Sequence, residues 1–498
     1  MKPTLYAPAV LAVGLFSAQV IGTAHVYLSN RELLDLGLAV TRAGYLPVPN
    51  EPIMARLDAL PVAMAGGLFF TLSIGAGLSL ATLIAAWSWD RLFRRRRAAA
   101  GCFLLLQAAL AVLVNVNGWN PAASAHVVAI PLATWAAAVR LLPPRSPRGA
   151  VIWPVTAALV LTLLWGQVLD RELFSNIRDF LLLGTRAGQS ITDAYYSYTL
   201  YPARAFSALE QRQIRTCRLD GDLDRSDWQR LEHLVRRHDY LPVVSQSPAN
   251  LTIGRGADRA HLVLKNGQAT VLAVPVKALF GDTRGVLGAF SQRLDRNRTF
   301  RTLTLVCLLL GFPLVLYTLV FSLLALVSGL FFPAGVSNGV AAVLCVLVGA
   351  VMLVPVYRGT TADIDPGDLP AALASPSEIV RIAALRQAFA GGRDITQAAL
   401  EHDLVNSASV AERYWLARCL AHAASAQAQV LRLTLIDDPT PIVVCQALWA
   451  MGQGNDPAMI PILTDRLNTS SHWYVQMYAY RALRRLGWVQ PRSLHLSY

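Results

Sequence analysis

The sequence predicts a polytopic α-helical membrane protein of about seven transmembrane helices, with a small α+β soluble domain and a C-terminal α-solenoid. Three observations predict it. Of 498 residues, 54% are hydrophobic and 15% charged, where a soluble domain carries about 25% charge. The apolar residues gather into runs of about 20, enough to cross a hydrocarbon core at about 1.5 Å per helical residue. Beyond residue 376 a helical pattern recurs every 31 or 32 residues. A disordered chain, a collagen-like fibre and a small disulfide scaffold are excluded by composition alone.

Seven runs meet or approach the spanning length: about 7–28, 60–88, 99–116, 123–142, 150–168, 303–331 and 339–357. The first lacks a small-x-small cleavage site before polar sequence, so a retained anchor is expected rather than a signal peptide. Arg91 and Arg94–Arg97 separate the second and third runs; Arg140, Arg145 and Arg148 separate the fourth and fifth. Arginines of short loops mark the cytoplasmic face. Seven spans then put the N-terminus inside a bacterial inner membrane and favour an extracytoplasmic middle domain and C-terminus. Arg293, Arg296, Arg298 and Arg301 stand against that side, and a re-entrant 123–142 would place both soluble regions in the cytoplasm. In either case the hairpin over 303–357 leaves them on one side.

The expected division is a membrane domain over 1–168, an α+β domain over 169–302, a transmembrane hairpin over 303–357, a linker over 358–376 and repeats over 377–498. The net charge of +13 sits in the first 302 residues, while 303–498 hold 12 basic and 12 acidic residues. Such a pattern reads as membrane orientation and not as a nucleic-acid footprint. Mid-span polarity is confined to residues such as Gln107 and Asn115, read as interhelical hydrogen bonding. Small residues at Gly66, Gly67, Gly75 and Gly77 predict close helix packing. The six cysteines show neither CxxC spacing nor a histidine at ligand spacing, so no metal site and no cofactor are predicted.

In the middle domain, Asp170–Leu183 reads as an amphipathic helix lying along the membrane. Tyr195, Tyr196, Tyr198 and Tyr201 follow. Tyrosine suits a headgroup boundary, with a buried ring and a wet hydroxyl, so these four are the lipid-interface candidates, beside the plainer reading of a domain core. The acidic stretch Asp220, Asp222, Asp224, Asp227 fails as a calcium loop: positions 6 and 12, counted from Asp220, are Arg225 and Leu231 where glycine and glutamate are required. Ser226 with Gln229 reads instead as a capping box opening a helix over 227–237. His233 and His238, five apart, share no helix face. Strands are expected at 241–245 and 251–254, and a hairpin joins 261–265 to 268–274 across Asn266-Gly267, the pattern of a type I′ turn. Helices follow from Pro275 and over 285–293. No nucleophile elbow, P-loop, dinucleotide fingerprint or zinc-protease motif is present.

In the C-terminal quarter, Val380-Arg381, Glu412-Arg413, Val443-Val444 and Val475-Gln476 occupy equivalent places, spaced 32, 31 and 32 residues apart. Further helical stretches, 395–404, 426–435 and 458–467, lie between them. Helix pairs at this period are α-solenoid units that bury their apolar faces only against neighbours, which makes Leu416, Leu420, Leu448 and Leu483 core. The run Asp437-Asp438-Pro439-x-x-x-Val443-Val444-x-x-Ala447-x-x-Ala450-Met451-Gly452 resembles the short bacterial HEAT-like repeat, of the type similar to phycobilisome-lyase relatives. The resemblance covers about 375–488. It implies an interaction surface and carries over no chromophore-binding residue. The first two units depart from it, with Gln387 for a small residue and Glu412 for valine.

Together these features predict a membrane scaffold or accessory protein that docks a protein partner through its repeats, in contact with lipids and not with nucleic acid. Two alternatives stand beside it. One is a transporter component for a lipid or other apolar solute. The other is an enzyme on a lipid-linked substrate, for which His233, His238 and the four aspartates are the only polar concentration.

Overall fold

A computed structural model of the chain describes residues 3–142, 149–220, 223–244, 246–258, 260–361, 364 and 366–492. Six helices among them are long and apolar enough to cross a membrane by length and composition: Leu5–Arg42, Leu60–Arg91, Arg97–Val114, Pro121–Leu141, Arg298–Ser328 and Gly335–Gly359. The run expected at 150–168 forms the shorter apolar helix Ile152–Gly166, which packs on the last of the six with Trp165 Nε1 donating to the Gly349 carbonyl at 3.3 Å. Arg145 and Arg148 lie outside the described residues.

The first helix, Pro3–Arg42, has 40 residues, or about 60 Å at 1.5 Å each, twice a hydrocarbon core. Its first half is the axis of the apolar bundle. Helix Leu60–Arg91 runs antiparallel to it, with Gly67 against Gly22, Gly75 against Ala18 and Ser79 against Gly14. Helix Pro121–Leu141 is also antiparallel, the Tyr6 hydroxyl donating to the Ala138 carbonyl at 3.2 Å while the His25 and His126 rings stand 5.6 Å apart. It is one continuous helix across that length. The small residues act as expected, most tightly at Gly77. A Cβ there would lie 2.3 Å from Cys307 Sγ, and one on Gly311 would lie 2.5 Å from the Gly77 Cα. Asn115 bonds Ser124 of the next helix at 2.8 Å, whereas the buried Gln107 Oε1 accepts no bond among the described residues.

The middle region holds a five-stranded sheet of β1 (Arg215–Leu219), β2 (Tyr240–Pro242), β3 (Leu251–Arg255), β4 (His261–Asn266) and β5 (Ala269–Pro275), in the order β2-β1-β3-β4-β5. β1 runs parallel to both β2 and β3, and β3, β4 and β5 are antiparallel. The central β1 is absent from the sequence expectation, because Arg215-Thr-Cys-Arg-Leu219 has no apolar run. It is buried through Cys217 and Thr216 alone, the latter clamped by Asn250. The hairpin turn is displaced by one residue. Asn266 pairs with Ala269, so the loop is Gly267-Gln268, and only Gly267 has positive φ, at 58°. One glycine first in a two-residue loop is the type II′ arrangement, not I′. A bulge between Leu264 and Lys265 absorbs the shift. The helix between β1 and β2 spans Arg225–Arg237 with Asp224 at its N-cap and no side-chain cap bond. The capping box at Ser226 is therefore corrected, since Ser226 already lies inside the first turn. Cys217, Leu231, Val235, Tyr240, Ile253, Leu264 and Phe290 form the core between this helix, the sheet and Thr283–Leu294.

The C-terminal region is a stack of helix pairs. Glu378–Ala390, Val410–Cys419, Pro441–Gln453 and Trp473–Arg485 pack successively on one another. Thr396–Glu401, Ala426–Leu435 and Ile460–Thr469 form the second row. Leu416, Leu420, Leu448 and Leu483 are completely buried between the rows.

Candidate docking surface of the repeat array

The two residues that break the repeat pattern turn out to be structural. Glu412, in place of valine, is 1% exposed and accepts from Arg381 Nε at 2.9 Å and from Ser407 Oγ at 2.6 Å. Arg413, one unit after Arg381, pairs with Asp438 at 2.6 Å. Position 381 and its equivalents 413 and 476 each donate to the carbonyl six residues earlier, of Ser375, Ser407 and Ser470. Units one to three are thus tied by an ion-pair ladder on top of their apolar contacts. Gln387 donates to the Ile364 carbonyl, fastening the segment before the repeats to the first unit.

One face of the array is covered by the chain itself. Asp170–Leu183 does not lie free along a surface: it forms the helical segment Leu173–Leu182, lodged between Ala334–Thr361 and the first two repeat units. Its amphipathic pattern is satisfied by protein, because its polar face carries Asp179, which is fully buried. Asp179 accepts from Arg178 Nε at 2.7 Å, Arg386 Nε at 3.0 Å and Trp415 Nε1 at 2.8 Å. The Arg178 guanidinium lies 4.2 Å over the Tyr414 ring. Burial works against its charge, but the hydrogen bond to Asp179 and the Asp179 charge, with smaller contributions from Tyr414 and Tyr196, together outweigh it and raise its pKa.

The tyrosines continue this cover. Tyr196 packs on Tyr474 with ring centroids 4.6 Å apart, and the buried Tyr201 meets Trp473 edge-on at 5.0 Å. Tyr195 and Tyr198 are exposed, at 51% and 40%. Tyr196 and Tyr201 thus pack on the last repeat helix, Tyr195 reaches Tyr474 from the rim with ring centroids 6.3 Å apart, and Tyr198 is left outward.

The remaining polar candidates do not converge. Asp224 and Asp227 pair with Arg255, and Asp220 lies 3.8 Å from Lys265; Asp222 is outside the described residues. His233 is exposed on its helix, and His238 ends it, half-buried with its pKa lowered by that burial. Among the described residues no group of histidine, cysteine and acidic side chains could hold a metal.

Residues with no signal in the sequence complete the joint. Asn50, 2% exposed, donates through Nδ2 to the carbonyls of Asn468 at 2.8 Å and Ser470 at 3.1 Å, capping the end of helix Ile460–Thr469, while its own N–H donates to Gln476 Oε1 at 2.9 Å. Gln490 and Arg492 donate to the carbonyls of Leu46 and Ala43. Asp239 of the middle domain takes the Tyr480 hydroxyl at 2.6 Å and Arg484 at 2.7 Å. Burial and then the Asp239 charge raise the Tyr480 pKa well above the usual phenol value.

The second row of repeat helices is left facing outward. Gln397, Leu400 and Glu401 on the first, Gln427, Val430 and Thr434 on the second, and Pro461, Asp465 and Asn468 on the third are exposed at helical spacing. Leu400 is 49% and Val430 61% exposed.

A family model for HEAT repeats matches residues 397–484. The match takes in this outward row and the three later helices of the first row, and leaves out Glu378–Ala390. No curated protein and no solved structure matches the chain. The C-terminal region is a HEAT-repeat array, a helical solenoid of the kind that serves as a protein-interaction scaffold.

Proposed function

We propose that the chain is an integral scaffold of a bacterial inner membrane, whose HEAT array is held rigidly beside the bilayer and docks a protein partner through its outward helix row. The observation that carries this is the division of the array into two faces. One is locked to the chain by the buried Asp179, Arg386 and Trp415 contact. The other presents Leu400 and Val430 to solvent. The likeness of 437–452 to the phycobilisome-lyase type contributes a docking role alone.

A shared side for both soluble regions is supported by where segments meet. Residues 43–50 reach the last repeat, Asn120 bonds Asn297 at 2.6 Å, and Asp239 pairs with Arg484. All gather at the end of the apolar bundle opposite Arg91 and Arg94–Arg97, as seven spans with those arginines in the cytoplasm require. Arg301, one of the arginines standing against that side, is paired with Asp295.

A photo-reactive residue at Val430 should yield one discrete adduct in native membranes that Leu400→Asp abolishes. Val430 adducts that persist unchanged in Leu400→Asp, or their absence in cells that need the protein, would refute the docking face. Cysteines at Lys277 and Val430, with Cys102 replaced by serine, should react alike with an impermeant maleimide in sealed vesicles. Labelling of one alone would overturn the shared side.

A further inference from the structure

Where helix Leu200–Phe206, the entry to the sheet and the last repeat helix come together, they enclose a cavity of about 290 Å³. Four arginines line it, Arg204, Arg212, Arg301 and Arg481, and no carboxylate does among the described residues. Arg301 is answered by Asp295, and Arg212 reaches the exposed Glu32 only at 3.4 Å. Arg204 and Arg481 have no ion pair among the described residues, and Arg204 is only 9% exposed. Its side chain donates no hydrogen bond among those residues. Arg212 Nε and the indole Nε1 of Trp473, which also lines the cavity, are buried without an acceptor.

Unpaired buried cations are strongly unfavourable, and here burial and then the neighbouring Arg212 push the Arg204 pKa down to about 9. Four arginines around one space whose wall carries no carboxylate among the described residues are a donor set short of acceptors. A phosphate group supplies three charged oxygens, enough to take several forks at once, which a carboxylate with two cannot. The rest of the wall mixes apolar side chains, Leu200, Phe206 and Met477, with the uncharged polar Ser207, Gln211 and Gln213, and Arg301 stands two residues before the apolar run at 303.

We propose that this cavity binds a free phosphate or phosphate monoester group, held by Arg204, Arg212 and Arg481. The source is either a soluble phosphate or the headgroup of an anionic lipid, and the site is independent of the docking face on the outer repeat row.

The test uses the full chain purified in neutral detergent at pH 7.5. One arm adds inorganic phosphate against chloride at equal ionic strength. The other compares nanodiscs of phosphatidylcholine with and without phosphatidic acid. The readout is the thermal midpoint, followed by fluorescence and circular dichroism. A rise with inorganic phosphate assigns a soluble source, and a rise only with phosphatidic acid assigns a lipid. In either case the exposed-site variant Arg481→Gln should weaken the apparent affinity about ten- to hundredfold. Arg204→Gln should abolish the rise while keeping a midpoint without phosphate at or above that of the native chain, since it removes an unpaired buried charge. No rise in either arm, or an equal rise in both variants, overturns the proposal.

Discussion

Replacing Asp179 by asparagine should undock the repeat array from the juxtamembrane helix without unfolding either. The carboxylate is inaccessible and compensates two arginines at once, Arg178 at 2.7 Å and Arg386 at 2.7 Å, which are themselves 23% and 13% exposed. An amide of the same shape keeps one acceptor but leaves Arg178 without a counter-charge and Arg386 with only the exposed Glu172, at 3.5 Å. Removing one partner of a buried pair costs about 3–5 kcal/mol, equal to about a 150- to several-thousand-fold gain in the open population. The repeat core at Leu416, Leu420 and Leu448 is held by apolar packing that the substitution leaves in place, so the loss should appear as a local opening. Hydrogen exchange of the full chain is the assay. Protection should fall over Leu173–Leu182 and Glu378–Ala390 and persist in Pro441–Gln453. Arg386→Gln should reproduce the pattern, and Trp415→Phe, which removes one neutral donor, should show it about 1 kcal/mol more weakly. Unchanged exchange at Leu173–Leu182 in Asp179→Asn would refute the reasoning, as would collapse of the whole array.

Asn50→Ala removes two donors from the end of Ile460–Thr469, so exchange at residues 467–476 should quicken about 5- to 30-fold, matching 1–2 kcal/mol. Glu412→Val restores the repeat pattern yet should destabilise the array by about 3 kcal/mol, because Arg381 loses its partner; Arg381→Leu with Glu412→Val should recover most of it, measured by urea unfolding. His472 is half-buried, its two ring nitrogens are inaccessible and not hydrogen-bonded among the described residues, and burial holds its pKa below 6.5, opposed by Asp193. The unfolded state then binds the extra proton, so stability is full above about pH 6.5 and declines as pH falls below it. Protection factors at Trp473–Arg485, which divide out the intrinsic slowing of amide exchange in acid, should fall between pH 6.5 and 5.5, and His472→Asn should remove that component.

Legibility in the sequence followed the range of the interactions. Helix Ala426–Leu435 and the four core leucines were readable because helical periodicity records which side of a helix is buried. Strand β1 was not, since its place at the centre of the sheet comes from partners on both sides and not from its own residues. The capping box at Ser226 failed because the helix begins at Arg225, one residue earlier, with Asp224 at its N-cap and no side-chain cap bond.

The order of apolar lengths, the 32-residue period and the asymmetry of arginines are local properties, and the sequence alone determined them. Which repeat face is closed, that Asp179 meets Arg386 across 207 residues, that Asn50 caps a helix 417 residues away and that four arginines share one cavity were decided only by the tertiary structure. The physical reason is that a charge or amide looks the same in sequence whether it faces water or a buried partner. Only the packing of distant segments removes the water and makes the partner obligatory.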